Sequence, residues 1–215
     1  DGKLVGRITI DDVVDYIREE AEKDYQLASG ITEDVEMSDS VWRHTRARVP
    51  WLMIGMAGGL FGSRIISAFE GNIAKYPEVV FFMPLIAATG GNVGIQSSAI
   101  MVQAIASGNL GIDTSWRKLG KDVSIALLNA TALSALAFLF NLLVGSSQAL
   151  TLTVATAMFA VVVFATLMGT FLPLMFNKVN IDPAVATGPF ITTMNDITGM
   201  LVYLMLSAYF FGVFM

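Results

Sequence analysis

Polar and apolar residues occur in long blocks along this chain. From Val49 onward there are five apolar runs, at 49–69, 79–107, 123–144, 150–176 and 189–215. Each is long enough, as a helix, to cross a hydrocarbon layer of about 30 Å, which takes about 20 residues. Short polar breaks separate them. The first holds Glu70-Gly71-Asn72 and Lys75-Tyr76-Pro77-Glu78, and the second, 108–121, carries Arg117, Lys118 and Lys121. Gly145-Ser146-Ser147-Gln148 makes the third, and 177–188, with Asp182-Pro183, the fourth. Lipid has no water to satisfy backbone groups, so such runs are helices and not open strands. The expected fold class is therefore all-α: a polytopic membrane protein with five transmembrane helices per subunit.

The block before Val49 reads differently. Residues 4–10 alternate as a short strand, and Asp11-Asp12 then cap an acidic helix. An amphipathic stretch at 38–49 leads into the first span, with Trp42 and Trp51 as interfacial anchors. A lone strand and helix cannot bury a core, so the rest of that unit is expected upstream. The opening Asp1-Gly2-Lys3 has no signal-peptide pattern.

Composition sharpens this division. The 215 residues are 54% hydrophobic and 14% charged, against about 25% charged in an ordinary soluble domain. Twelve of the eighteen acidic residues precede Pro50, so the net charge of −5 belongs to the N-terminal block. No basic face of the kind that binds nucleic acid is present. Cysteine is absent, which removes disulfides and thiolate chemistry. Arg43, Arg46 and Arg48, then Arg117, Lys118 and Lys121, then Lys178 all fall on one side of the five crossings. That side is expected to be cytoplasmic, with the N-terminus inside and the C-terminus outside.

Within the spans, Asp196 is the one carboxylate deep in an expected helix. Placing Asp at a bilayer centre costs about 3 kcal/mol on insertion scales, so such a residue points to function. Thr192, Asp196, Gly199 and Tyr203 share one helical face, and Asn195 stands beside the carboxylate. A structural Asp paired with a neighbouring helix is the plainer reading. The second span carries a matching stripe of Thr89, Asn92, Gln96 and Gln103, around Gly90, Gly91 and Gly94 with Pro84 upstream. Those glycines and the proline predict a bend or a close backbone approach. The stripe itself reads either as interhelical hydrogen-bonding glue or as a pore lining. Depth favours convergence: at 1.5 Å per residue, Asp196 and Asn92 both lie about 10 Å from the cytoplasmic edge, on antiparallel helices.

One carboxylate with amide and hydroxyl oxygens suits a hard cation. The sole His, His44, lies outside the spans. Magnesium, which keeps several waters, fits so sparse a site; Mn2+, Co2+ and Ca2+ stand as surrogates for Mg2+. A two-fold homodimer would set two Asp196 side chains across one axis and match a divalent charge. The glycines of the first span, Gly55, Gly58, Gly59 and Gly62, read as helix packing.

The stretch Pro84-Leu85-Ile86-Ala87-Ala88-Thr89-Gly90-Gly91-Asn92-Val93-Gly94-Ile95-Gln96-Ser97 resembles the second-helix signature of MgtE-type magnesium transporters. Asp182-Pro183-Ala184, followed by Gly188-Pro189-Phe190-Ile191-Thr192-Thr193-Met194-Asn195-Asp196-Ile197-Thr198-Gly199, resembles the family's last helix. The opening residues, to Asp12, resemble the end of a CBS domain. The resemblance implies three parts: a CBS remnant at 1–24, a connecting or plug helix region at 25–48 and a five-helix pore domain at 49–215. It also implies a homodimeric pore gated by cytosolic magnesium. In that pore Asp196 would bind the hydrated ion, helped by the backbone carbonyl of Thr192, with Asn195, Asn92, Gln96 and Asp182 as further candidate ligands.

Other classes fit less well. An intramembrane carboxylate protease needs two acids per site, and a metalloprotease needs His ligands that the spans lack. An enzyme is therefore not expected. The alternative transport reading is a proton-coupled divalent metal carrier with Asp196 as relay.

Overall fold

The computed structural model describes residues 6–32, 35–107 and 112–214, with the side chains of 112–119 and 186 left aside. It is helical throughout. Helix α1 (Ile10–Ala28) precedes the bundle, and α2 (Val41–Ala68) opens it. A short α3 (Glu70–Lys75) and a 3₁₀ segment (Pro77–Phe82) lead into α4 (Met83–Ala106). Helices α5 (Ile112–Val144) and α6 (Gln148–Lys178) follow, then a 3₁₀ turn (Pro183–Ala186) and α7 (Pro189–Phe214). Five of these are long and apolar enough to cross a membrane, agreeing with the five runs read from hydropathy.

Local chemistry explains the boundaries. The Ser40 side chain accepts from the Arg43 amide at the start of α2, and Ser147 does the same for Leu150 in α6. Gly145 and Gly188 take positive φ at the turns after α5 and before α7, a conformation without steric cost only for glycine. Pro84 lies in the first turn of α4, where its missing N–H is harmless, so it starts the helix and does not bend it. The strand expected at 4–10 is not found among the described residues: 6–9 are irregular and Ile10 is already helical. Thr9 decides this. Its amide donates to the Asp12 carboxylate at 2.8 Å while its hydroxyl accepts from the Asp12 amide at 3.4 Å, a capping box that starts α1 earlier than the acidic pair suggested. The Thr9 hydroxyl, which donates to the same carboxylate at 2.7 Å, and then the Thr9 amide hold the Asp12 carboxyl below its ordinary pKa.

Helix α6 is the centre of the bundle and packs against α4, α5 and α7. Helices α4 and α7 also pack on each other, whereas α5 lies along α6 and α2 chiefly along α7. Three buried threonines of α6 return their hydroxyls to carbonyls one turn earlier, Thr151 to Ser147 O, Thr153 to Ala149 O and Thr166 to Val162 O, at 2.7–2.9 Å. These three hydroxyls are thereby satisfied without a partner helix. The apolar core falls into two clusters. One, nearer α3, includes Tyr76, Val79, Ile86, Val162, Tyr203 and Phe211. The other, nearer α1, joins Leu172 and Ile191. The level between them is where the chain places its glycines and its intramembrane carboxylate.

Both ends of α7 are tied down. Near α3, the Tyr203 hydroxyl donates to Val79 O at 2.8 Å, Asn72 Nδ2 donates to Ser207 Oγ at 3.0 Å, and the Tyr76 and Phe211 rings lie 4.3 Å apart. At the other end, α1 runs up to the Gly188-Pro189 turn so closely that a Cβ on Gly188 would collide with Ala28 O. The Thr32 amide and hydroxyl both donate to Ala47 O, each at 3.0 Å, which fastens the loop after α1 to α2.

Candidate cation site

Asp196 sits on α7 two turns beyond Pro189, about 10 Å along the axis. It opens into a groove of about 320 Å³ between α7 and α2. The α2 wall is a stripe of glycines, Gly55, Gly58, Gly59 and Gly62, and Ala87 contributes from α4. Only Gly58 is pressed against α7, where a Cβ would run into Thr193; Gly55, Gly59 and Gly62 have nothing within 4 Å. One glycine thus sets the helix approach and the other three keep the groove wide, so the stripe shapes the site as well as the packing.

The Asp196 carboxylate is half-buried and forms no hydrogen bond or ion pair among the described residues. The plainer reading, a structural Asp held by a neighbouring helix, finds no partner there. Helix α4 passes directly alongside. A Cβ built on Gly91 would lie 3.6 Å from Asp196 Oδ1 and 3.2 Å from Thr192 Cγ2. The levels of Asn92 and Asp196, matched by counting residues from opposite helix ends, therefore do coincide.

The expected site residues divide into those near this level and those committed elsewhere. The Thr192 hydroxyl donates to Gly188 O at 2.9 Å, which leaves its backbone as the means of facing an ion. Asn92 and Gln96 are exposed on α4 and make no hydrogen bond among the described residues. Thr89, from the same stripe, faces instead a separate apolar pocket against α5. Asn195 is fully buried and turned to α4, its Nδ2 donating to Gly90 O at 3.2 Å. Neighbours on a helix are about 100° apart, so Asn195 and Asp196 cannot face one groove together. Asp182 lies away from this level. Its Oδ1 accepts from the Ala184 amide at 2.9 Å and caps the turn before α7. There it faces α1, where burial and then the Asp182 charge push the Asp24 carboxyl above its ordinary pKa.

Two features escaped the sequence reading. The Gly91 position beside the carboxylate could have been found by pairing α4 and α7 at equal depth. Asp122, at the edge of the third span, accepts from Thr170 Oγ1 of α6 at 3.5 Å. Its place just before the apolar run made it look like part of the loop. No three Asp, Glu, His or Cys side chains gather anywhere among the described residues. A cation on Asp196 must then keep its own waters or take ligands from a second copy.

The profile of the MgtE family, described as a divalent cation transporter, matches residues 83–206, from the start of α4 to most of α7. Three relatives bear the name magnesium transporter MgtE. That of Bacillus subtilis is 30% identical over 200 residues, covering 93% of this chain and 44% of the relative. The Thermus thermophilus protein is 33% identical over 211 residues, 95% and 46% of the two chains. The Enterococcus faecalis protein is 31% identical over 217 residues, 100% and 47%. The chain thus spans about half the length of these relatives.

Proposed function

Because this chain belongs to the MgtE family of divalent cation transporters, a membrane-bound family, we propose that it conducts Mg2+ through a pore between two copies of itself. The ion passes hydrated, held by the Asp196 carboxylate and the backbone at Thr192. Asn92 and Gln96 face the path, while Asn195 and Asp182 act from beside it. The observation that carries this reading is the half-buried Asp196, without a hydrogen-bond or ion-pair partner among the described residues, at the same level as Gly91 and Asn92. A carboxylate in a membrane span costs several kcal/mol unless an ion or a partner compensates it.

The dimer accounts for the exposed amides. Asn92 and Gln96 would face lipid in a single copy, and a second copy across a two-fold axis encloses them and doubles the carboxylate charge. In this reading the N-terminus lies in the cytoplasm and the C-terminus outside, which the bias of basic residues in the loops supports. Residues 1–24 then form the end of a CBS-like unit, and the region to Arg48 links it to the pore as the plug that cytosolic Mg2+ regulates.

The test is Mg2+-dependent growth and flux in cells lacking their own magnesium uptake. Wild type should rescue, while Asp196→Asn and Asp196→Ala should reach the membrane and carry no measurable Mg2+. Variants that transport as well as wild type would sink the proposed site. A dependence of flux on an imposed pH gradient would favour the proton-coupled carrier.

A further inference from the structure

The three α4 glycines facing α7 and α6 are not equivalent. A Cβ on Gly94 would collide with Asn195 Nδ2, and one on Gly90 would come within 2.9 Å of Val161 Cγ1. Packing forbids a side chain at both. At Gly91 a Cβ would meet only two atoms within 4 Å, the end of the Thr192 side chain at 3.2 Å and Asp196 Oδ1 at 3.6 Å. The second distance is ordinary contact and the first is relieved by a small shift of Thr192. The fold therefore tolerates a methyl group at 91, although glycine in a helix interior costs about 1 kcal/mol relative to alanine. What the missing side chain provides is space on one side of the carboxylate.

We propose that Gly91 is a specificity-determining residue: its absent side chain keeps open, beside Asp196 Oδ1, the place taken by a water of the ion's own shell. The bond from Asn195 Nδ2 to Gly90 O, fully buried, holds α4 and α7 at the spacing that sets the width of this place. The chemistry favours a cation that arrives hydrated. Mg2+ gives up its waters reluctantly and usually keeps several when bound. A methyl group at 91 would remove one water position, and an ion that dehydrates more readily, such as Mn2+, would lose less by it. This inference rests on the reading of Asp196 as the cation site.

The experiment is uptake of Mg2+ and Mn2+, each alone, by the full chain in proteoliposomes. For Gly91→Ala, Mg2+ flux should fall about tenfold and Mn2+ flux much less, so the Mn2+/Mg2+ ratio rises, as the hydration difference demands. The double variant Gly91→Ala with Thr192→Ser removes the 3.2 Å contact and leaves only the one to the carboxylate. A raised ratio in the double variant supports the assignment. Equal loss of both ions, or a ratio that returns to the wild-type value once Thr192 is trimmed, reduces Gly91 to a packing residue and overturns it. Asp196→Asn is run in parallel. If it conducts like wild type, the cation-site reading itself falls; if it is silent while Gly91→Ala leaves the Mn2+/Mg2+ ratio at the wild-type value, only the specificity assignment falls.

Discussion

The seam between α5 and α6 and the seam between α4 and α7 are built in the same solvent and from similar residues, yet they treat polar groups in opposite ways. Along α5–α6 the contact is made by side chains. Ala126, Ala130 and Ala137 are buried, and the Ser134 hydroxyl donates across to Ala155 O at 2.7 Å. Thr151, Thr153 and Thr166 of α6 bond back to carbonyls one turn earlier, and Thr170 donates across the seam to Asp122 at 3.5 Å. Along α4–α7 the contact is made by missing side chains, Gly90, Gly91 and Gly94, and a carboxylate and two exposed amides have no partners among the described residues. Lipid supplies no hydrophobic drive between helices, so both seams depend on close packing and a few hydrogen bonds. The difference teaches that polarity in a span is not the mark of a site. Asn141 Oδ1 on α5 is buried and unpaired as well; what sets the α4–α7 seam apart is an ionisable group with no partner among the described residues.

The largest effect should come from closing the junction where α4 meets α6. A Cβ on Gly169 would lie 2.5 Å from Gly94 O and 2.7 Å from Ser97 Cβ, and the first of these is backbone that cannot rotate away. Gly169→Leu should leave no monodisperse protein after extraction, since overpacking already costs about 1–3 kcal/mol where side chains can yield. A well-behaved Gly169→Leu protein would show that the seam is looser than this geometry.

A matched pair probes the comparison directly. Asn195→Ala and Ser134→Ala each remove one interhelical hydrogen bond, worth about 0.6 kcal/mol on average in membrane proteins. Thermal unfolding should show similar, modest losses for both. Mg2+ flux should fall severalfold only for Asn195→Ala, because only that bond holds the helix carrying Asp196 against α4. Equal loss of flux in both variants would erase the functional difference between the seams.

The smallest effect lies outside the bundle. Asp24 has its carboxyl pKa raised by burial and by the charge of Asp182. An acid whose pKa is higher in the docked state than when free holds its proton more tightly when docked. Docking of α1 on the 183–186 turn should strengthen as pH falls through that raised value and weaken as pH rises through it. Hydrogen exchange of residues 10–28, corrected for intrinsic rates, should show more protection at mildly acid pH, and Asp182→Asn should flatten the dependence. Protection that instead grows with pH would contradict the Asp24–Asp182 repulsion.

Much of this molecule was legible before any coordinates. A run of apolar residues is a local property, and the membrane converts it into a helix because every backbone group must be satisfied within the segment. Asp196 stood out for the same reason: a lone carboxylate in such a run is costly wherever its helix packs. Its level opposite Asn92 followed from rise per residue and helix direction alone. Over the described residues 6–10 the expected strand is absent, because a short apolar run says nothing about partners and the Thr9–Asp12 capping box was a stronger local signal.

The sequence by itself thus determined the five helices, their breaks and the one carboxylate that has to be explained. Only the tertiary structure decided which faces meet. It turned Asn195 to Gly90 and away from the groove, used Asp182 to cap a turn, left Asn92 and Gln96 exposed, and set Gly91 beside the carboxylate. The physical reason is that helix formation in lipid is a matter of each segment alone. Helix rotation is settled by contacts among segments more than a hundred residues apart, as between Asn195 and Gly90, and by the steric freedom that a glycine gives to its partner helix.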